Sequence, residues 1–261
     1  GAPGSGKSSL TAALASVVRS EEQRLAILAV DPSSPFTGGA ILGDRVRMQD
    51  HVTDDGIYIR SMATRGHLGG LSLATPQAIR VLDALGWPWV LVETVGVGQV
   101  EVAIAGAADT TIVVVNPGWG DAVQANKAGL MEVADIFVIN KSDRKGADDT
   151  RRDIQQMLEL SSLGDWEPPI VMTVATDQIG ADELWETVGE HRAHLQTSGE
   201  LELRRSRRID AELTEIVNRS LEQRVITTMN RPETADLKEK LARGEIDPYA
   251  AAAQLIDLAD G

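Results

Sequence analysis

The chain of 261 residues contains no cysteine. That excludes disulfides, thiolate zinc sites, iron–sulfur clusters and a cysteine nucleophile, and it fits the reducing cytosol, so a cytoplasmic location is expected. Aromatic residues make up 3%, too few for the stacked platforms that read single-stranded nucleic acid. No apolar run reaches the roughly 18 residues that a membrane-crossing helix needs. Positive charge is also in deficit: 25 Lys and Arg stand against 39 Asp and Glu, a net charge of −14. Such a surface repels phosphate backbones and anionic lipid, so neither nucleic acid nor membrane is an expected partner.

What remains is a chain with 43% hydrophobic and 25% charged residues, enough to build one large α/β domain, or one with a helical appendage. Short apolar runs alternate with helix-patterned stretches. Leu25 to Asp31, Ile57 to Met62, Trp89 to Thr94, Thr110 to Val115, Asp135 to Asn140 and Ile170 to Ala175 read as strands buried on both faces. Ser8 to Arg19 and Thr75 to Leu85 read as crossover helices. The expected fold is α/β: a doubly wound, mainly parallel sheet with a C-terminal helical extension. Residues 1–197 form the expected main domain and 198–261 the extension. In the latter, Ile209, Leu213, Ile216, Val217, Leu221 and Val225 recur at helical spacing. A further helix is expected from Pro232 to about Arg243, and another from Asp247-Pro248, a capping residue before a first-turn proline. The chain opens inside a glycine motif that ordinarily follows a buried strand, so a first strand is expected before residue 1. The lack of a targeting segment then carries no information.

GAPGSGKS, Gly1 to Ser8, fits G-x-x-x-x-G-K-[ST] at every specified position. Its glycines let backbone N–H groups curl around phosphates, and the helix that follows adds its positive end. Lys7 reaches the β and γ oxygens, and Ser8 can ligate Mg²⁺. NKSD, Asn140 to Asp143, closes a strand; the Asp143 carboxylate can accept two hydrogens from guanine N1 and N2, a pair that adenine lacks, while the Lys141 stem covers the base plane. The backbone of Thr173-Val174-Ala175 would meet the guanine carbonyl. ETVGVGQ, Glu93 to Gln99, puts an acid at a strand end where it can hold Mg²⁺ through water; Glu replaces the commoner Asp and reaches one methylene further.

Asp31 and Asp44 flank a long Pro- and Gly-rich loop. They suit a switch segment that approaches a metal or an attacking water, or else Asp31 caps a turn and Asp44 pairs with Arg45 or Arg47. His67 lies in a glycine-rich stretch that reads first as a structural loop. Gln124 and Lys127, three residues apart, share one helix face, for which solvation is the default reading. His191 and His194 could hold a metal weakly, though a solvated helix face is the simpler reading.

In this order the segments GAPGSGKSS, VDPSSPFTGGAILGDRVRM, SMATRGHLGG, VETVGVGQ, GDAVQANKAG and ADIFVINKSD resemble the MeaB/ArgK family of P-loop GTPases, which includes the methylmalonic aciduria type A protein. The resemblance covers nearly everything from Gly1 to Asp143. It implies a homodimeric GTPase that uses GTP, GDP and Mg²⁺ and serves as a chaperone for an adenosylcobalamin-dependent acyl-CoA mutase, typically methylmalonyl-CoA mutase, by gating cofactor delivery and protecting or reactivating that enzyme. By position it implies that Gly4, Ser5, Gly6, Lys7, Ser8 and Ser9 hold phosphates and that Ser8, Asp31, Asp44 and Glu93 form the metal and water site. Asn140, Lys141 and Asp143 would read guanine, with Val174 and Ala175. Lys127 would supply positive charge to the transition state only when the mutase is bound. Two departures stand out: Val100 where the family usually has serine, and Val174 where it has the serine of TSA.

The reading that results is a slow GTPase whose hydrolysis times a partner's state, since no obvious catalytic glutamine or arginine is present. Alternatives are a protein phosphotransferase linked to basic amino-acid transport, after an older family label, and a metal-insertion GTPase. The last expects clustered His or Cys ligands.

Overall fold

The computed structural model describes residues 1–31, 53–63, 74–94, 106–118, 132–160 and 164–260. By internal contacts the chain divides into two compact units, Gly1–Arg204 and Arg205–Gly261.

Among the described residues of the first unit, six strands form two parallel three-stranded sheets. One has the order β2-β1-β3, with β1 Leu25–Asp31, β2 Ile57–Ala63 and β3 Trp89–Thr94. The other has the order β4-β5-β6, with β4 Ile112–Val115, β5 Ile136–Asn140 and β6 Ile170–Thr173. The helices are α1 Lys7–Ser20, α2 Ala74–Ala84, α3 Ala147–Glu159 and α4 Ala181–Ser198. Strand alternation explains how they are sorted. On β1, Leu25 and Ile27 pack against Ala15 and Val18 of α1, while Ala26 and Leu28 face Leu82 of α2. On β5, Ile136 and Val138 meet Leu10 and Leu14 of α1 and Leu184 and Val188 of α4, whereas Phe137 and Ile139 meet Ile154 and Leu158 of α3. Each sheet is thus buried on both faces, which is why its strands read as continuous apolar runs. Helix α1 packs on both sheets, so its amino end is fixed over the carboxyl ends of the strands, where open α/β sheets bind ligands.

A buried polar cluster sits at the other end of β5. The Asp135 carboxylate accepts from the Thr111 N–H at 2.8 Å and from Arg204 Nη1 and Nη2 at 3.1 and 3.0 Å. His191 is fully buried; its Nε2 lies 3.3 Å from Asp135 Oδ1, and its Nδ1 is 2.8 Å from the Thr110 hydroxyl. The Trp166 ring packs on both His191 and His194 and donates its indole N–H to the Asp135 carbonyl at 2.8 Å. The expectation of a solvated face bearing His191 is therefore corrected. On α4, Leu184, Val188, His191 and Leu195 share the buried stripe, and the imidazole is held there because both ring nitrogens find polar neighbours. Burial alone would raise Asp135, but the His191 imidazole beside it and the Arg204 guanidinium bonded to it more than offset this and hold the carboxyl below the ordinary carboxylate range.

Helix α5, Glu200–Met229, runs from the first unit into the second. There a 3₁₀ turn, Pro232–Thr234, leads to α6, Ala235–Ala242, and α7, Pro248–Asp260. The expected helix from Pro232 thus begins as a 3₁₀ turn, pinned by the Thr234 hydroxyl donating to the Arg231 and Met229 carbonyls at 2.8 and 3.0 Å. The expected cap on the last helix is present: Asp247 Oδ1 accepts from the Tyr249 and Ala250 N–H groups at 2.8 and 3.0 Å. Among the described residues no helix is long and apolar enough to cross a membrane.

Candidate functional site

The loop Gly1–Gly6 turns into α1 over the carboxyl ends of β3, β4 and β5. At its start Gly1 lies against β4, where an added Cβ would fall 2.1 Å from the Val114 carbonyl oxygen. At its end Gly6 takes φ 94° as the N-cap of α1 with no side-chain cap. The first intrahelical bond runs from Leu10 N to the Gly6 carbonyl at 2.9 Å. The amides of Lys7, Ser8 and Ser9 precede that bond, so the helix presents its donors and positive end here. Ser5 is fully buried and its hydroxyl has no hydrogen-bond partner among the described residues, a group that a phosphate oxygen would satisfy. Lys7 Nζ donates to the carbonyls of Gly1 and, at 3.0 Å, of Ala2. Gly4, at φ 78°, has open space on its Cβ side.

Two long-range contacts organise the site. The Ser8 hydroxyl donates to Glu93 Oε1, bringing together residues 85 apart in sequence. Glu93 is buried and stands beside Ala29 in the β1–β3 register. A hydroxyl next to a buried carboxylate is a hard-oxygen donor pair of the kind Mg²⁺ takes, so these residues fit that ion. Asp31 ends β1 one residue beyond the Val30–Thr94 pair, which puts its backbone at the same strand end. Its side chain, together with Asp44, His67, Gln124 and Lys127, lies outside the described residues. Among the described residues no group of three or more His, Cys, Asp or Glu could hold a metal ion.

The second contact runs through Asn140, the buried last residue of β5. Its Nδ2 donates to the Ser5 carbonyl at 2.9 Å, and its Oδ1 accepts from the Ala175 N–H at 3.1 Å and the Thr173 hydroxyl at 3.2 Å. The β5–β6 register sets Asn140 directly beside Thr173, and the Ser142 N–H donates to the Thr173 carbonyl at 3.0 Å. One amide side chain therefore joins the phosphate loop to the base-side loop. Lys141, at φ 57°, reaches back to donate to the Gly4 carbonyl at 2.6 Å. Asp143 is exposed just past the strand end.

The expected role of Val174 and Ala175 changes in detail. The Val174 N–H donates to the Ile179 carbonyl at 3.0 Å, and the Ala175 N–H is held by Asn140. Both residues are buried, where N–H groups must be paired, so a base carbonyl gains the Ala175 donor only in exchange for Asn140. Sequence reading placed the Thr173 backbone at the site but missed its hydroxyl as a partner of Asn140. Its signal was available, since a hydroxyl residue in the strand next to the NKSD strand is the natural partner of the asparagine.

With this geometry in place, comparison with known proteins is decisive. The family model described as "Methylmalonyl Co-A mutase-associated GTPase MeaB" matches residues 1–230. The chain belongs to the MeaB family. Among its MeaB-family relatives, a putative GTPase of Pyrococcus abyssi is 51% identical over 261 residues, spanning 98% of this chain and 80% of that protein. The GTPase ArgK of Escherichia coli is 39% identical over 77% of this chain and 62% of its own length. Among solved structures, one titled "LAO/AO transport system kinase" superposes with a TM-score of 0.67 at 25% identity, covering all of this chain and 80% of that one. As a MeaB-family member the chain is a GTPase with the P-loop NTPase fold.

Proposed function

We propose that GTP lies with its phosphates on Gly4 to Ser9 and its base against Asn140, Lys141 and Asp143, and that its hydrolysis times the action of a partner enzyme. The observation that carries this reading is Asn140, which ties the phosphate loop to the base-side loop in one hydrogen-bonded unit. Asp143 accepts from guanine N1 and N2. Ser8 and Glu93, with Asp31 and Asp44, would hold Mg²⁺, which when bound supplies charge neutralisation at the phosphate oxygens. Lys7 moves from its loop carbonyls to the β and γ oxygens.

The partner is an adenosylcobalamin-dependent acyl-CoA mutase, in the first instance methylmalonyl-CoA mutase; the family description supports this choice. The GTPase acts as its chaperone in the cytoplasm, as a homodimer. Lys127 completes the transition-state charge when the mutase is bound, so turnover without the mutase should be slow.

The test is GTP hydrolysis by the full-length protein, alone and with purified methylmalonyl-CoA mutase, counting free phosphate against phosphate on protein. Slow release that rises several-fold with mutase, and falls back in Lys127→Ala, is the expected result. A mutase that neither binds nor stimulates would remove this partner. Label appearing on a protein would instead establish phosphotransfer.

A further inference from the structure

The second unit contains an open cleft of about 910 Å³ between the carboxyl-terminal half of α5 and the end of α7, lined by Arg219, Arg224, Arg231 and Gln223 and, across from them, by Ala259. None of these residues belongs to the nucleotide site. We propose that this cleft binds a small molecule bearing a diphosphate group.

Charge is the first argument. Residues 1–204 carry 16 basic and 28 acidic side chains, whereas residues 205–261 carry 9 and 11. Between Arg219 and Arg231 three arginines face a single acid, Glu222. A cationic stretch is therefore maintained in a chain that is otherwise strongly anionic.

The state of each arginine is the second. Arg219 is partly neutralised, since its Nε donates to Glu215 Oε1 at 2.8 Å. Arg224 and Arg231 have no ion pair and no side-chain hydrogen bond among the described residues. Arg224 lies on α5 and Arg231 just past its end, as the extended N-cap residue of the 3₁₀ turn, and both line the cleft. Two unpaired planar forks on one cleft suit two linked phosphoryl groups, each of which takes a bidentate guanidinium.

The other polar groups narrow the ligand further. The Ser220 hydroxyl donates to the Ile216 carbonyl at 2.9 Å, and the Thr227 hydroxyl to the Gln223 carbonyl at 2.8 Å. Their protons are used within the helix, leaving the guanidinium forks, the Gln223 amide and the Thr228 hydroxyl as the donors lining the cleft. A donor set made almost wholly of arginine suits a polyanion rather than a sugar or a neutral ligand. The volume is that of a small-molecule site.

The experiment is calorimetric titration of the full-length protein with inorganic pyrophosphate at physiological ionic strength, with GDP and Mg²⁺ saturating so that the phosphate loop is filled. The expected result is one saturable site per chain, weakened at least tenfold in Arg224→Gln/Arg231→Gln and less in Arg224→Lys. An unchanged basal GTP hydrolysis rate in the double variant would show that it folds. No saturable binding, binding indifferent to the double substitution, or binding that excess GDP abolishes would each overturn the proposal. So would binding that disappears as protein concentration drives self-association, since the cleft would then be a contact between copies.

Discussion

Gly6 shows how tightly single residues are specified in the phosphate loop. Its φ of 94° belongs to the left-handed region, and an added Cβ would lie 2.2 Å from Asn140 Nδ2. Alanine there meets two penalties: the backbone conformation, costing about 1–2 kcal/mol, and displacement of the amide that joins both loops. Gly6→Ala is expected to lower the melting temperature by several degrees and to weaken GTP at least tenfold, as read by thermal denaturation and fluorescent-nucleotide titration. Gly4, with open space at its Cβ position, bears only the conformational part, so Gly4→Ala should be milder. Asp143 separates binding from folding, because it is exposed. Asp143→Asn keeps the shape but turns one acceptor into a donor, losing two charge-assisted hydrogen bonds to guanine worth about 3 kcal/mol together, or roughly a hundredfold in affinity. Xanthosine triphosphate, with a carbonyl where guanine has its amino group, should gain. Equal affinities for GTP in the variant and the parent, at unchanged melting temperature, would remove Asp143 from the base site.

Among the elements, β5 carries the most, since Asn140 closes one end and Asp135 precedes the other. Asp135 makes a two-pronged pair with Arg204 in the first turn of α5, so it fastens the root of that helix to the strand. Asp135→Asn removes the two-pronged counter-charge of a half-buried guanidinium, leaving among the described residues only Glu200 Oε1 at 3.8 Å. Because Arg204 keeps 30% of its side chain exposed, the loss should fall below that of a fully buried pair, at about 2 kcal/mol. The pH dependence follows from the depressed carboxyl. The charged form is favoured in the folded state, so the contribution is complete at neutral pH and above the unfolded value near 3.8. It is lost as pH falls below that value through the lower folded one. Melting temperatures taken from pH 7 to 3 should therefore fall more steeply below pH 4 in the parent than in Asp135→Asn, and parallel curves would contradict the assignment.

The same strand shows what the sequence made legible. DIFVIN, apolar on both faces, read as a buried strand and is one, and NKSD at its end read as a base site because spacing and strand ends are local properties. Leu25–Asp31 and Trp89–Thr94 were readable to the residue for the same reason. The Asn140 bridge, the Ser8–Glu93 pair and the burial of His191 were not, because each depends on contacts between residues 33 to 135 apart in the chain. Hydrophobic periodicity gives a helix its buried stripe, but a histidine on that stripe belongs to the core only if another element offers it partners.

For the molecule as a whole, charge and apolar surface are unevenly divided. The first unit carries nearly all the excess negative charge, and the second is close to neutral. In the second, Ile209, Leu213, Val217 and Leu221 of α5 recur every four residues and are each about half exposed among the described residues, a stripe at helical spacing. Repulsion between two copies would be strongest at their nucleotide domains and weakest along this stripe, so the stripe is where a homodimer would meet. Each leucine or valine buried there contributes about 1.5–3 kcal/mol, and every substitution is counted twice in a symmetric pair. Leu213→Glu/Val217→Glu should therefore raise the dimer dissociation constant at least a hundredfold, measured by sedimentation equilibrium. GTP hydrolysis without a partner should persist, since every proposed nucleotide contact lies within residues 1–204. A variant that remains dimeric would move the interface away from α5, and a parent that is monomeric at tens of micromolar would remove the homodimer itself.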